Sequence, residues 1–294
     1  MPKNGTAEFD RYAKKIKQEI IINKLWRNIM KKPFLFLSFL LIVAISSCSV
    51  EDNFFNGQWV DLTHEFSEET IYWPTAEPFR KTTVFRGHTE AGFYYTAYNF
   101  SAAEHGGTHV DAPIHFSENR NTVDQIPIEQ LIGSGVVIRI TEKVRENRNY
   151  QFSVKDILDW EKKHGIIAED SILLIYTGLS KFWPNRKEYM GTDERGQEAV
   201  KKLKFPGIHP DAAKFLATNR KIKAVGLDTP SIDFGGSKLF ETHQVLFEKN
   251  IPGFENVANL DKLPPKGFTI FALPMKIKGG SGGPLRIVAF IPAK

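Results

Sequence analysis

The sequence predicts one mixed α/β domain over residues 59–294, and three observations predict it. Short apolar stretches of strand length alternate with stretches of helical pattern. The N-terminal third, Val60 to Phe116, is rich in aromatic and β-branched residues and carries no long helical period. No composition break, internal repeat or low-complexity run divides this part of the chain.

The elements follow in order. Trp59 opens the folded part after a polar tether. Val136 to Ile140 reads as a strand. Ser153 is placed to cap a helix running through Lys163, with Asp156 at the third position and Gly165 closing it. Ile172 to Tyr176 reads as a buried strand by its length and branching. Asp211 to Asn219 reads as a helix that starts after Pro210, and Lys223 to Leu227 as the next strand. Phe268 to Leu273 and Arg286 to Ile291 read as two late strands.

Charge excludes one class of partner. The 294 residues carry a formal net charge of +5, which suggests nucleic acid until the charges are located. Residues 1–47 hold nine of the 39 Lys/Arg and three of the 34 Asp/Glu, so 30 bases face 31 acids in the remainder. The basic character belongs to the leader, and the body has no electrostatic footprint for nucleic acid.

The leader has its own logic. Residues 33–45, PFLFLSFLLIVAI, are short for a membrane span but suit the apolar core of a signal peptide, with Lys31 and Lys32 before it. The run ends at Ile45-Ser46-Ser47-Cys48, which resembles the lipobox of bacterial lipoproteins. That resemblance implies a signal peptide at 30–47, a lipidated Cys48 and a tether at 48–58. The expected location is an exported bacterial lipoprotein, held at a membrane on the periplasmic or cell-surface side. The alternative, a buried N-terminal helix, is disfavoured because small polar residues and Cys48 end the run at a cleavage-like site. Residues 1–29 exceed a normal signal n-region, so Met30 is read as the true start and 1–29 as an upstream extension or mis-called start. Cys48 is the one cysteine, which rules out an intramolecular disulfide and argues against a catalytic thiol.

The chemistry concentrates in HGGTHVDAPIHF, His105 to Phe116. Histidines four apart would share a helix face, but Gly106, Gly107 and Pro113 oppose helix. Read as extended chain, His109, Asp111, Pro113 and His115 point to one face, and the Gly-Gly pair lets His105 fold back toward them. Such a set of imidazoles and a carboxylate suits zinc, manganese or iron(II) and leaves positions open for water or substrate. A second cluster holds Asp228, Asp233, His243 and Glu255. Alone, His243 reads as a partly buried polar residue; beside the first cluster it becomes a candidate partner. Lys278 to Gly283 looks like a phosphate loop but lacks the GK[ST] ending, and it is read as a flexible loop near the site rim. No serine nucleophile elbow is present.

The twelve-residue motif resembles the signature HxGTHxDxPxHF of the metal-dependent cyclase-like hydrolases, which include kynurenine formamidases (arylformamidases) and isatin hydrolases. The likeness extends to Asp61-Leu62-Thr63-His64, Tyr72-Trp73-Pro74, Thr122 to Pro127, Tyr176-Thr177-Gly178, Gly226 to Thr229, and Gly282-Gly283-Pro284. It implies a cyclase-like (swivelling β/β/α) fold: an α/β domain with a central barrel-like sheet, flanking helices and, commonly, a homodimer or larger homo-oligomer. It also implies that His105, His109 and Asp111 hold a first divalent metal, zinc or manganese. Asp111 would bridge to a second ion held by His243 and Glu255, and His115 would be the catalytic acid/base. His209 stands where the family often has a small residue, which is expected to alter the rim.

The implied reaction is metal-dependent hydrolysis of a small aromatic amide, such as an aryl formamide, or of a lactam or ester. Trp73 is the candidate substrate-binding residue, with ordinary core as its alternative; Tyr72 and Phe93 read more readily as core than as further aromatic walls. His64 reads as structural, and His88 and His164 as surface residues. The alternatives are a lipid-anchored metal- or ligand-binding protein that has lost turnover, and a cyclase running the ring-closing direction. An exported location sits poorly with tryptophan catabolism, which is usually cytoplasmic.

Overall fold

The computed structural model describes residues 56–293. The leader, Cys48 and most of the tether lie outside the described residues. The strands are β1 (Gly57–Asp61), β2 (Arg80–His88), β3 (Tyr94–Ser101), β4 (His109–Asp111), β5 (Ile132–Arg139), β6 (Gln151–Phe152), β7 (Ile172–Tyr176), β8 (Gly207–Ile208), β9 (Ala224–Leu227), β10 (Gly253–Glu255), β11 (Lys266–Pro274) and β12 (Gly282–Pro292). The α-helices are α1 (Ile128–Leu131), α2 (Thr141–Glu146), α3 (Val154–His164), α4 (Arg186–Met190), α5 (Gln197–Val200), α6 (Pro210–Phe215) and α7 (Glu241–Phe247).

Seven strands close a barrel in the order β12, β11, β5, β7, β9, β10, β4, with β4 pairing back onto β12. Strand β1 lies antiparallel on the outer edge of β12. The run β5–β7–β9–β10 is parallel, and the joins through β4, β11 and β12 are antiparallel. The family-type α/β barrel with flanking helices that the motif implied is the fold observed.

Period-two alternation explains why the parallel strands read as nearly continuous apolar runs. In β7, Ile172 and Leu174 join the barrel interior with Val110, Phe254, Ile270 and Ile287. Leu173 and Ile175 face the other way, onto Ile157, Trp160, Ala213 and Phe247 of the helices. Emptying a fully buried interior position such as Leu174 costs about 2–5 kcal/mol when leucine becomes alanine.

Helix α3 begins and ends as its signals require. The Ser153 N–H donates to Asp156 Oδ2 at 2.7 Å, and Gly165 takes a φ of 88° past the last turn. The helix expected at 211–219 is shorter, because after α6 the chain widens into a π turn over Leu216–Arg220.

The β2–β3 hairpin stands apart from the core with both faces exposed. Phe93, at its turn, is 61% exposed. It is neither core nor a wall of the site pocket, which corrects both readings.

His64 is the structural histidine expected. Its ring stacks on Trp183 with centroids 4.2 Å apart. Burial pushes its imidazole down from 6.5 to about 4. Folding therefore favours the neutral ring. Stability from this group is complete above pH 6.5 and is lost as pH falls toward 4, because the unfolded chain takes up a proton that the folded protein refuses. The loss at this residue is at most about 3 kcal/mol. His64→Phe, which keeps a ring against Trp183, should flatten the fall in denaturant midpoint between those pH values. An unchanged slope would contradict this origin of acid sensitivity.

Candidate metal centre

Backbone register places the first residues of the site. Strand β4 is hydrogen-bonded on both edges: His109 pairs with Glu255 and Pro284, and Asp111 with Gly253 and Gly282. Successive side chains alternate faces, so Val110 and its neighbour Phe254 fill the barrel interior. His109, Asp111 and Glu255 therefore project from the opposite face, where α7 brings His243.

The strand does not continue to His115. Pro113–His115 form a 3-10 turn, in which the His115 N–H donates to Ala112 O at 2.9 Å. The fixed φ of Pro113 suits the first position of a helical turn. The one-face reading of residues 109–115 as extended chain is thus corrected at Pro113. The turn still delivers His115, whose ring stacks on His105 with centroids 3.8 Å apart. The Gly-Gly turn is as expected: Gly107 has φ 58°, and the ring of Tyr72 lies so close over Gly106 that a Cβ there would collide with it.

Three imidazole nitrogens converge on one carboxylate. His105 Nδ1 lies 2.7 Å and His109 Nε2 3.1 Å from Asp111 Oδ1, and His243 Nε2 lies 3.2 Å from Asp111 Oδ2. Glu255 completes the ring, 3.5 Å from His109 Nε2 and 3.3 Å from His243 Nε2. The donor atoms form two groups that share Asp111: His105, His109 and Asp111; and Asp111, His243 and Glu255. Within each group they lie within 4.8 Å of one another.

The opposite nitrogen of each ring is engaged. His109 Nδ1 lies 3.0 Å from Gly107 O, His243 Nδ1 2.6 Å from Asp233 Oδ2, and His105 Nε2 2.8 Å from Ser281 Oγ. Such outer contacts fix which nitrogen faces inward. Asp233 also accepts from the His243 N–H at 3.2 Å, holding the start of α7.

Electrostatics at the site run against burial. Burial would push the His109 imidazole down, but Asp111 and Glu255 outweigh it and lift it to about 9. His243 is likewise raised well above its ordinary value, against burial, by Asp111, Asp233 and Glu255. Burial raises Asp111, yet the surrounding histidines hold it well below the usual range. Glu255 is raised, first by burial and then by the Asp111 charge. His115 goes the other way, to about 4, because burial outweighs the attraction of Asp111.

These donors fit a divalent cation. His109 Nε2 is buried and hydrogen-bonds to nothing among the described residues, although two carboxylates face it. With the imidazoles neutral, as metal ligands must be, Asp111 and Glu255 are buried anions that need a countercharge.

A cavity of about 290 Å³ opens beside this cluster, walled by Ile71, Tyr72, Trp73, Phe116 and Phe240 and floored by His105, His115 and His243. Trp73 lines this cavity, edge-on to Phe205 and Phe240.

Other expectations resolve differently. Asp228 is not at the cluster; its carboxylate accepts from the N–H groups of Thr177, Gly178 and Ser180 and closes the loop after β7. His209 does not line the cavity; its Nδ1 accepts from the Asp211 N–H at 3.2 Å, capping α6. The loop at 278–283 is not a free rim. Gly282 and Gly283 are paired with β4, and Ser281 touches His105. Ser281 falls in the loop read as the site rim, but its contact with His105 escaped the sequence reading, because 176 residues separate the two.

The family pattern described as "Putative cyclase" matches residues 60–234. An isatin hydrolase of Roseibium aggregatum is 29% identical over 197 residues, 64% of this chain and 72% of that one. A kynurenine formamidase of Geobacillus thermodenitrificans is 28% identical over 228 residues, 78% of this chain and 95% of that one. The solved structure of isatin hydrolase A from Labrenzia aggregata, bound to benzyl benzoate, matches with a TM-score of 0.72 and 32% identity, covering 80% of this chain and 94% of that one.

Because both donor groups use Asp111, Asp111→Asn should abolish zinc or manganese binding outright. Glu255→Gln should remove at most the ion nearest His243. Metal analysis after dialysis reads both; full metal content in Asp111→Asn would contradict the shared-carboxylate arrangement.

Proposed function

The chain belongs to this cyclase family, and on that premise we propose that it is a divalent-metal-dependent hydrolase of a small aromatic amide. The substrate is an aryl formamide of the N-formylkynurenine type or a related lactam or ester. The observation that carries the reading is the convergence of three inward imidazole nitrogens on Asp111 at the floor of an aromatic cavity. The relatives, isatin hydrolases and a kynurenine formamidase, support the same class of substrate.

His105 Nδ1, His109 Nε2 and Asp111 would hold one cation, and His243 Nε2 and Glu255 would hold a second against the far oxygen of Asp111. A divalent cation there, zinc or manganese, supplies Lewis-acid chemistry: activation of water near neutral pH and polarisation of a carbonyl.

The chain's own residues do the rest. Trp73 and Phe240 present flat apolar faces that exclude water and orient an aryl ring, leaving its amide toward the polar floor. His115 lies against that floor on the face of His105. It enters as a neutral ring, accepts the proton of the attacking water and returns it to the leaving nitrogen. Burial keeps the free ring neutral and makes its protonated form a strong donor to the leaving nitrogen, while weakening the ring as a base toward the water.

His115→Ala should lower turnover by about 10²–10⁴-fold while metal content stays at the wild-type level. Steady-state assays with N-formylkynurenine and isatin, with zinc or manganese added and then chelated, test both halves. Loss of metal from His115→Ala would make it a ligand instead. Inactivity of the metal-loaded wild type across an amide, lactam and ester panel would favour a binding protein without turnover.

The lipobox-like segment supports a further part of this reading: an exported lipoprotein anchored through Cys48. In a bacterial host, Cys48→Ser should shift the protein out of the membrane fraction and stop incorporation of labelled palmitate. Unchanged partitioning would remove the anchor from the account.

A further inference from the structure

We propose that Glu104 and Ser281 are positioning residues that turn His105 so that its Nδ1, rather than its Nε2, meets the metal. This rests on the metal reading above. His105 is the odd member of the set. His109 and His243 anchor Nδ1 outward and present Nε2, whereas His105 faces Asp111 with Nδ1 and turns Nε2 away. An inverted ring needs its own outward partner, and neither a nearby backbone carbonyl nor Asp233 supplies it.

The partner is a two-residue relay. Ser281 Oγ lies 2.8 Å from His105 Nε2 and 2.8 Å from Glu104 Oε2. A hydroxyl has one hydrogen, and a carboxylate has lone pairs only. If Ser281 donated to His105, its oxygen would face the Glu104 carboxylate at that distance with no hydrogen between them. The hydroxyl therefore donates to Glu104, and its oxygen accepts from an Nε2–H of His105. Nδ1 is left as the nitrogen that can bind a cation.

The surrounding backbone is built to hold this relay. The same Glu104 oxygen accepts from the Ser281 N–H at 2.9 Å and the Gly282 N–H at 3.3 Å. Ser281 O accepts from the Ala112 N–H at 2.8 Å, which ties the relay to the strand that bears Asp111. Two glycines make the approach possible. A Cβ on Gly282 would fall 2.6 Å from both His105 Cε1 and Val110 O, and one on Gly280 would fall 2.9 Å from Glu104 Oε1. Gly280 and Gly282 are thus explained by close packing around Glu104 and His105.

The test uses the whole protein. Zinc affinity is measured by competition with a chromophoric chelator, and the metal-free melting temperature is measured beside it. Ser281→Ala should weaken zinc binding by about 10–100-fold with the metal-free melting temperature unchanged. Glu104→Gln keeps an acceptor for the two N–H groups but lets an amide donate to Ser281. It should weaken binding by a smaller factor, and it decides the matter if Ser281→Ala also lowers the metal-free melting temperature. In ¹⁵N–¹H spectra of the zinc-loaded wild type, His105 should show a proton on Nε2 and metal on Nδ1. Wild-type zinc affinity in both variants, or metal on His105 Nε2, overturns the proposal while leaving the metal reading intact. A wild type that binds neither zinc nor manganese overturns both.

Discussion

Strand β4 is three residues long, yet it closes the barrel and carries the site. Its two edges are hydrogen-bonded to β10 and β12, and that register sets His109 opposite Glu255 and Asp111 opposite Gly282. A slip of one residue would turn Val110 toward α7 and drive His109 and Asp111 into the apolar interior. The packing of Val110 against Phe254 and Ile287 therefore protects the placement of the polar cluster on the opposite face. The register that closes the barrel also sets His109, Asp111 and Glu255 on one face.

The cluster itself is costly to bury. Two buried carboxylates stand among imidazoles, and the proteins that tolerate such sites do so by pairing every charge. In the metal-free protein the raised His109 and His243 supply countercharge; a divalent cation would replace those protons. The outer contacts to Gly107, Asp233 and Ser281 set which nitrogen of each ring faces inward. His115 lies outside this pairing, stacked on His105, and burial keeps its imidazole neutral.

Much of this was legible in the sequence because its causes are local. Alternation and branching marked β7 without error in its bounds, and Ser153, Asp156 and Gly165 marked both ends of α3. The motif put His105, His109 and Asp111 together because six residues of turn and strand suffice to do so. Other features depend on distant chain. Ser281 reaches His105 only because β12 returns to β4, and Asp228 leaves the cluster because three backbone N–H groups after β7 claim it. The turn at Pro113 was a local signal read the wrong way: proline excludes a helix interior but favours its first position.

Three histidines each direct a chosen nitrogen onto the shared Asp111 carboxylate. Anomalous diffraction at the zinc edge from crystals of the zinc-loaded protein tests this arrangement most directly. A peak is expected among His105 Nδ1, His109 Nε2 and Asp111, with any second peak between Asp111, His243 Nε2 and Glu255. A peak that leaves Asp111 uncoordinated, or that sits on His115, would contradict it.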